Sequence, residues 1–325
     1  MKLDVVTTHI DGYRYGSSFF ILNMSKLGGA LSRRFVNSKQ PNALALLLCA
    51  GLFAMPAHSD TVEKLTLASA IDKAGLQRML TQRIGKAYCQ IGLDIQADHS
   101  QEQLDEAVAM FDSQLAELRV FAPNQQVRSA IAQVTTMWEP VKAVALAPVT
   151  RDGANHVAYW NDDLLYASHK VVQLLQDTSN TRQARLVNIS GRQRMLSQRL
   201  AKFYLLQLWG FDTLTVHDEV ERAKIEFTGA LETLLAAPET TATIRRQLEA
   251  VSGEWTWFRK ALEMTNTDPF PVTVVRATES ILFRMDEITR LFQELADKDQ
   301  QQIKTAKSTS DGASMPAIGS TNRPE

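Results

Sequence analysis

Two short stretches hold most of the residues that could do chemistry: "AGLQRMLTQRIGKAY", residues 74–88, and "SGRQRMLSQRLAKFY", residues 190–204. Placing Gly75 on Gly191 also places Gln77, Arg78, Met79, Leu80, Gln82, Arg83, Lys86 and Tyr88 on Gln193, Arg194, Met195, Leu196, Gln198, Arg199, Lys202 and Tyr204. Each copy threads cations through apolar residues at helical spacing. Residues five apart on a helix are separated by about 140° around its axis, so Arg194 and Arg199 point to different sides. Arg199 falls among Met195, Leu196, Phe203 and Leu206, the stripe that should face a core, where a charge must be paired or reach water. Arg194 lies in line with Val187, Gln198, Ala201 and Leu205, beside Gly191. The helix therefore has two packed faces.

A glycine inside a helix costs roughly 1 kcal/mol relative to alanine. Its presence at Gly75 and Gly191 implies the close approach of a backbone or a ligand. A guanidinium bending across a helix pair at such a point could hold a planar oxyanion through two N–H donors. The same arginine could instead pair with an acidic residue on a neighbouring helix, and spacing alone leaves both readings open.

The elements that must position these residues are helices. The chain has 325 residues, a formal net charge of -1, 45% hydrophobic and 7% aromatic residues, and only 15 glycines and 10 prolines, which predicts an all-α protein and gives no field for nucleic acid. The first motif lies on a helix over 62–92. Ser100 and Gln103 form a capping-box pattern for a second helix ending before Pro123. A third helix spans 124–147 with Pro140 as a kink, and a fourth spans 155–176. The pattern then restarts with helices over 181–209, 215–236, 239–264 and 272–304. Phe111, Leu115 and Leu118 match Phe227, Leu231 and Leu234 at the offset of the glycines, and Trp138 matches Trp255 one residue out of step. This is a duplicated domain: two tandem four-helix bundles in series, over 60–177 and 178–304, joined by "DTSNTR" as a bend or a continuous helix and followed by a disordered tail over 305–325.

Residues 1–59 read as a signal-peptide region. "ALALLLCAGLFAMPA", residues 43–57, follows Arg33, Arg34 and Lys39 and precedes a cleavage site before Asp60, so the mature chain is expected in the periplasm. The apolar run is short for a membrane span, and an uncleaved anchor is the alternative.

"AGLQRMLTQRIGK" and "SGRQRMLSQRLAK" resemble the N-terminal sensory domain of PilJ-type methyl-accepting chemotaxis transducers and, more distantly, the P-box of the nitrate sensor kinase NarX. In the nitrate sensors the first helices of two subunits meet across a two-fold axis, and the arginine three residues after the motif glycine holds the anion. The resemblance thus implies a nitrate, nitrite or other small-anion site at Arg78 and Arg194 beside Gly75 and Gly191, supported by Gln77, Arg83, Gln193 and Arg199. The glutamines depart from the nitrate-sensor wording. Those relatives carry membrane helices and cytoplasmic output segments, whereas this chain ends in a polar tail, so a sensor of this kind must report to a membrane receptor, a sensor kinase or a pilus-associated protein, and a homodimer is compatible with it.

Other chemistry finds no support in the sequence. None of His99, His156, His169 or His217 has a glutamate three residues before it, and their expected role is exposed or capping. Nucleophile elbows and phosphate-cradling glycine loops are absent, so no cofactor, metal or catalytic residue is assigned. Two function classes stay open: an exported sensory module that binds a small ligand, and a structural or interaction protein of the envelope or pilus apparatus. Two geometries stay open with them. A pseudo-two-fold within one molecule would bring Arg78 and Arg194 together, and a serial rod pairing with a second chain would keep them apart.

Overall fold

The computed structural model describes residues 65–179, 181–211, 213–263 and 270–312. Residues 1–59, where a signal peptide is expected, and residues 313–325 lie outside the described residues. Within them the order is α1 (Leu67–Gly92), α2 (Ala97–Phe121), α3 (Gln125–Ala145), α4 (Arg151–Ser179), α5 (Arg182–Leu208), α6 (Leu214–Ala236), α7 (Ala242–Glu263) and α8 (Pro271–Gly312), with no strand. The protein is all-α. None of these helices is long and apolar enough to cross a membrane.

Local chemistry explains the starts of α1, α3, α5 and α6. Thr66, Asn124, Thr181 and Thr213 each place a side-chain oxygen where it accepts the N–H three residues on, satisfying a donor that the first turn leaves free. The N-cap at Thr181 separates α4 from α5, so the joint is not one continuous helix. The expected capping box does not form. α2 begins earlier, after Gln96 in the left-handed region with φ 48°, and Ser100 lies inside the helix. Its hydroxyl donates to the Ile95 carbonyl at 3.0 Å and accepts from Gln90 Nε2 at 2.9 Å, so a tie back to α1 has displaced the local cap. α3 runs through Pro140, and α8 runs on to Gly312, past the expected boundary at Lys304, because lengthening an existing helix needs no new nucleus.

Two bundles in tandem result. α1 packs on α2 and α4, and α3 on α4; α5 packs on α6 and α8, and α7 on α8. The most extensive packing of all is between α1 and α5, and one continuous apolar core runs through both bundles. The two bundles therefore stand side by side along their motif helices, which accounts for the two packed faces of each.

The repeat extends into the packing. Phe111 stacks on Trp138 with ring centroids 4.1 Å apart, and Phe227 packs on Trp255 at 4.3 Å. Gln77 Nε2 donates to the Phe111 carbonyl at 3.1 Å, and Gln193 Nε2 to the Phe227 carbonyl at 2.8 Å. Tyr88 accepts the Thr150 N–H and Tyr204 the Phe270 N–H, both at 3.0 Å. The motif glutamine thus ties each first helix to the second of its bundle, and the tyrosine ties it to the chain entering the fourth.

The ends of α1 and α5 meet as closely as their centres. A methyl group on Gly92 would lie 1.9 Å from a ring carbon of Trp209, in a space a rigid indole already fills. Gly92→Ala is expected to cost about 1–3 kcal/mol through overpacking, measured as a lower denaturant midpoint with an unchanged slope.

Candidate functional site

The α1–α5 interface is lined by cations. Arg78, Arg194 and Arg199, with Lys86 and Lys202, are among the most buried side chains of the protein. Burying a charge is costly unless it is paired, so each must be accounted for.

The outer pairs are resolved by carboxylates that cross between bundles. Arg83 of α1 donates to Glu279 of α8 at 2.9 and 3.1 Å, and Lys86 pairs with the same carboxylate. Arg199 of α5 meets Asp162 of α4 and Glu219 of α6, each at 2.8 Å, while Lys202 Nζ stands 3.6 Å from Asp162. Glu279 and Asp162 are related by the repeat, at the offset that relates Trp138 to Trp255. Burial raises the pKa of both carboxylates, yet their cations outweigh it and hold each below its ordinary value. The two lysines move the other way. Burial brings Lys86 and Lys202 down to about 8 despite the facing carboxylates.

The centre of the interface is occupied by Arg78 and Arg194. A methyl on Gly75 would touch both guanidinium groups, 3.4 Å from Arg78 Nη2 and 3.5 Å from Arg194 Nη2. One on Gly191 would lie 3.1 Å from Arg194 Nη2 and 3.8 Å from Arg78 Nη2. The glycines thus clear the room in which the two arginines converge within a single chain, the pseudo-two-fold geometry rather than the rod.

The two guanidinium groups have different surroundings. Arg194 is clamped by carboxylates, with Nη1 on Asp286 of α8 and Nη2 on Asp72 of α1, both at 2.6 Å. Its pKa rises, because these two charges outweigh the cost of burial. Arg78 meets neutral acceptors instead: Nη1 is 3.2 Å from His169 Nδ1 of α4, and Nη2 donates to the Asn188 carbonyl of α5 at 3.3 Å. Its Nε–H is buried without a hydrogen bond, and Arg78 forms no ion pair among the described residues. Burial, followed by the nearby charges of Arg192 and Arg194, pushes its pKa well below the ordinary value against the opposing pull of Asp72. An arginine can only donate, so His169 Nδ1 must accept and the ring proton sits on Nε2. Burial and then Arg78 drive His169 down to about 2, leaving it neutral.

The asymmetry is written in the repeat. His169 corresponds to Asp286 at the offset of the tryptophans, and Asn188 corresponds to Asp72 at the offset of the glycines. Where the second copy's arginine meets two carboxylates, the first copy's arginine meets a histidine ring and the main-chain carbonyl of Asn188, whose side chain turns to Gln176. Neither motif contains these partners, and only extending the repeat alignment beyond the motifs would find them. The expectation of exposed histidines holds for His99, His156 and His217 and fails for half-buried His169. Of the expected site residues, Arg78, Arg194, Gly75 and Gly191 come together. Gln77, Gln193, Arg83 and Arg199 face other helices. Among the described residues no group of histidine, cysteine and carboxylate side chains could hold a metal ion.

Two helical bundles are thus joined along their arginine-bearing first helices within one chain. The chain belongs to the family of type IV pili methyl-accepting chemotaxis transducer N-terminal domains, PilJ, whose profile matches residues 63–157 and again residues 177–281. The family is one of sensory domains, and the chain carries two copies of it. Comparison with curated proteins and with solved structures gave no match.

The two arginines should respond oppositely to neutralisation. Arg194→Met strands Asp72 and Asp286 and is expected to cost roughly 3 kcal/mol, whereas Arg78→Met removes a buried charge without a counterion and should be neutral or stabilising. Chemical denaturation of both variants reads the difference. The lysines give a pH signature. The folded chain releases their protons near pH 8, while the unfolded chain holds them to about 10.4. Between those values the unfolded state binds more protons, so this contribution to stability rises with pH. Denaturation from pH 8 to 10 should show that rise in the parent and its loss in the Lys86→Met, Lys202→Met double variant.

Proposed function

We propose that the protein is an exported sensor of a small planar oxyanion, nitrate or nitrite being the first candidates, with Arg78 as the ligand-holding residue and Arg194 as its structural counterpart. The observation that carries the reading is the buried Arg78 guanidinium, which hydrogen-bonds only neutral acceptors, beside a second guanidinium already neutralised by two carboxylates; the Nε–H of each is unused. An anion there would supply the missing charge and take charge-assisted hydrogen bonds from a fork that matches it. His169, with its proton on Nε2, offers a further neutral donor. Because the site is filled by packed side chains, admission of a ligand requires α1, α4 and α5 to ease apart at His169 and Asn188. Binding would thereby select a different packing of the two bundles, as a shift in an existing population.

In this reading the segment over 43–57 is a signal peptide removed before Asp60, the protein works in the periplasm, and a membrane receptor detects the change in bundle packing. Arg194, neutralised by Asp72 and Asp286, favours a locking role for its own half of the interface, so the structural reading applies to one arginine and the ligand reading to the other.

Calorimetry with nitrate and nitrite on the purified protein tests this directly. The expected result is one anion per chain, binding lost in Arg78→Met. His169→Asp should give Arg78 the internal carboxylate that Arg194 has, so this variant should be at least as stable as the parent and bind the anion at least ten-fold more weakly. Unchanged binding in both variants, or none in the parent, would falsify the assignment.

A further inference from the structure

A second site stands apart from the arginine pair. A groove of about 750 Å³ opens where α4 gives way to α5, bounded on its far side by the last turn of α6. That volume is within the range of small-molecule sites, which combine an apolar floor with a few polar groups. Leu186, Ile189 and Ala237 provide apolar lining, and Asp177, Arg182 and Arg185 provide charge. Arg182 is held by Glu239 at 3.0 Å. The other two charges are not engaged: neither the Asp177 carboxylate nor the Arg185 guanidinium forms an ion pair or side-chain hydrogen bond with any described residue, including each other. One groove thus presents a free anion and a free cation that do not neutralise one another. Arg185 also lies in the first turn of α5, behind the Thr181 cap, where the helix dipole adds to the attraction for a carboxylate.

We propose that this groove binds a small zwitterion with an apolar side chain, its carboxylate on Arg185, its ammonium on Asp177 and its side chain over Leu186 and Ile189. Free amino acids and short peptides share this chemistry. The geometry is that of a ligand whose two ends carry opposite charge, and neither a simple anion nor a simple amine satisfies both groups.

The test is calorimetric titration of the purified protein with leucine and with leucyl-leucine. Binding of either at one equivalent per chain is expected, and the tighter of the two assigns the source as free amino acid or peptide. Asp177→Asn and Arg185→Gln should each weaken binding at least ten-fold. Both positions are exposed, so circular dichroism should show the parent fold in each variant. 4-Methylpentanoate, which lacks the ammonium, and isopentylamine, which lacks the carboxylate, should bind at least ten-fold more weakly than leucine. Arg78→Met should leave zwitterion binding unchanged, which separates this groove from the oxyanion site whether or not nitrate binds. The proposal is overturned if neither zwitterion binds, if binding survives both groove substitutions, if the single-charge analogues bind as well as leucine, or if Arg78→Met abolishes it.

Discussion

The burial of guanidinium and ammonium groups between α1 and α5 is the constraint from which most of this architecture follows. An apolar helix pair could slide or rotate at modest cost, but a buried cation must find its partner or pay the desolvation penalty. Arg83 and Lys86 on α1 find Glu279 on α8, Arg199 and Lys202 on α5 find Asp162 on α4, and Arg194 finds Asp72 across the interface. Each of these contacts joins one bundle to the other. Together they make the register of the two bundles a matter of charge pairing, while the shared apolar core supplies the bulk of the attraction.

Covalent duplication gives this interface a freedom that a homodimer lacks. When two identical subunits meet across a two-fold axis, every substitution appears twice, and both arginines keep the same surroundings. On one chain the halves can diverge. Asp286 and Asp72 neutralise Arg194, while the corresponding positions, His169 and Asn188, leave Arg78 without an ion pair. The clamped half can hold the interface while the other half stays electrostatically unsatisfied. A symmetric pair could do only one of these at a time.

The motif residues divide along the same line between scaffold and site. Gln77, Gln193, Tyr88 and Tyr204 serve the bundles, each making a bond that its counterpart repeats. Gly75 and Gly191 serve the centre by clearing space for guanidinium groups. Cys89, which burial raises to about 12, is an inert member of the core.

The sequence by itself determined the helices, the duplication and the packed faces on which the motif arginines lie. Helical periodicity is local, the N-caps act within three residues, and a repeat shows itself without any structure. It left open whether Arg78 and Arg194 meet, since that depends on how α1 and α5 pack. It could not assign a partner to either arginine, because Asp72, His169, Asn188 and Asp286 come from four helices and lie outside the motifs. The capping-box pattern at Ser100 failed for a related reason: a buried contact to Gln90 outweighed the local cap. Which charge is neutralised and which is left without an ion pair is a property of facing surfaces. Only the tertiary structure brings those surfaces together, because a carboxylate neutralises a buried cation only within a few ångströms, however near or far it lies along the chain.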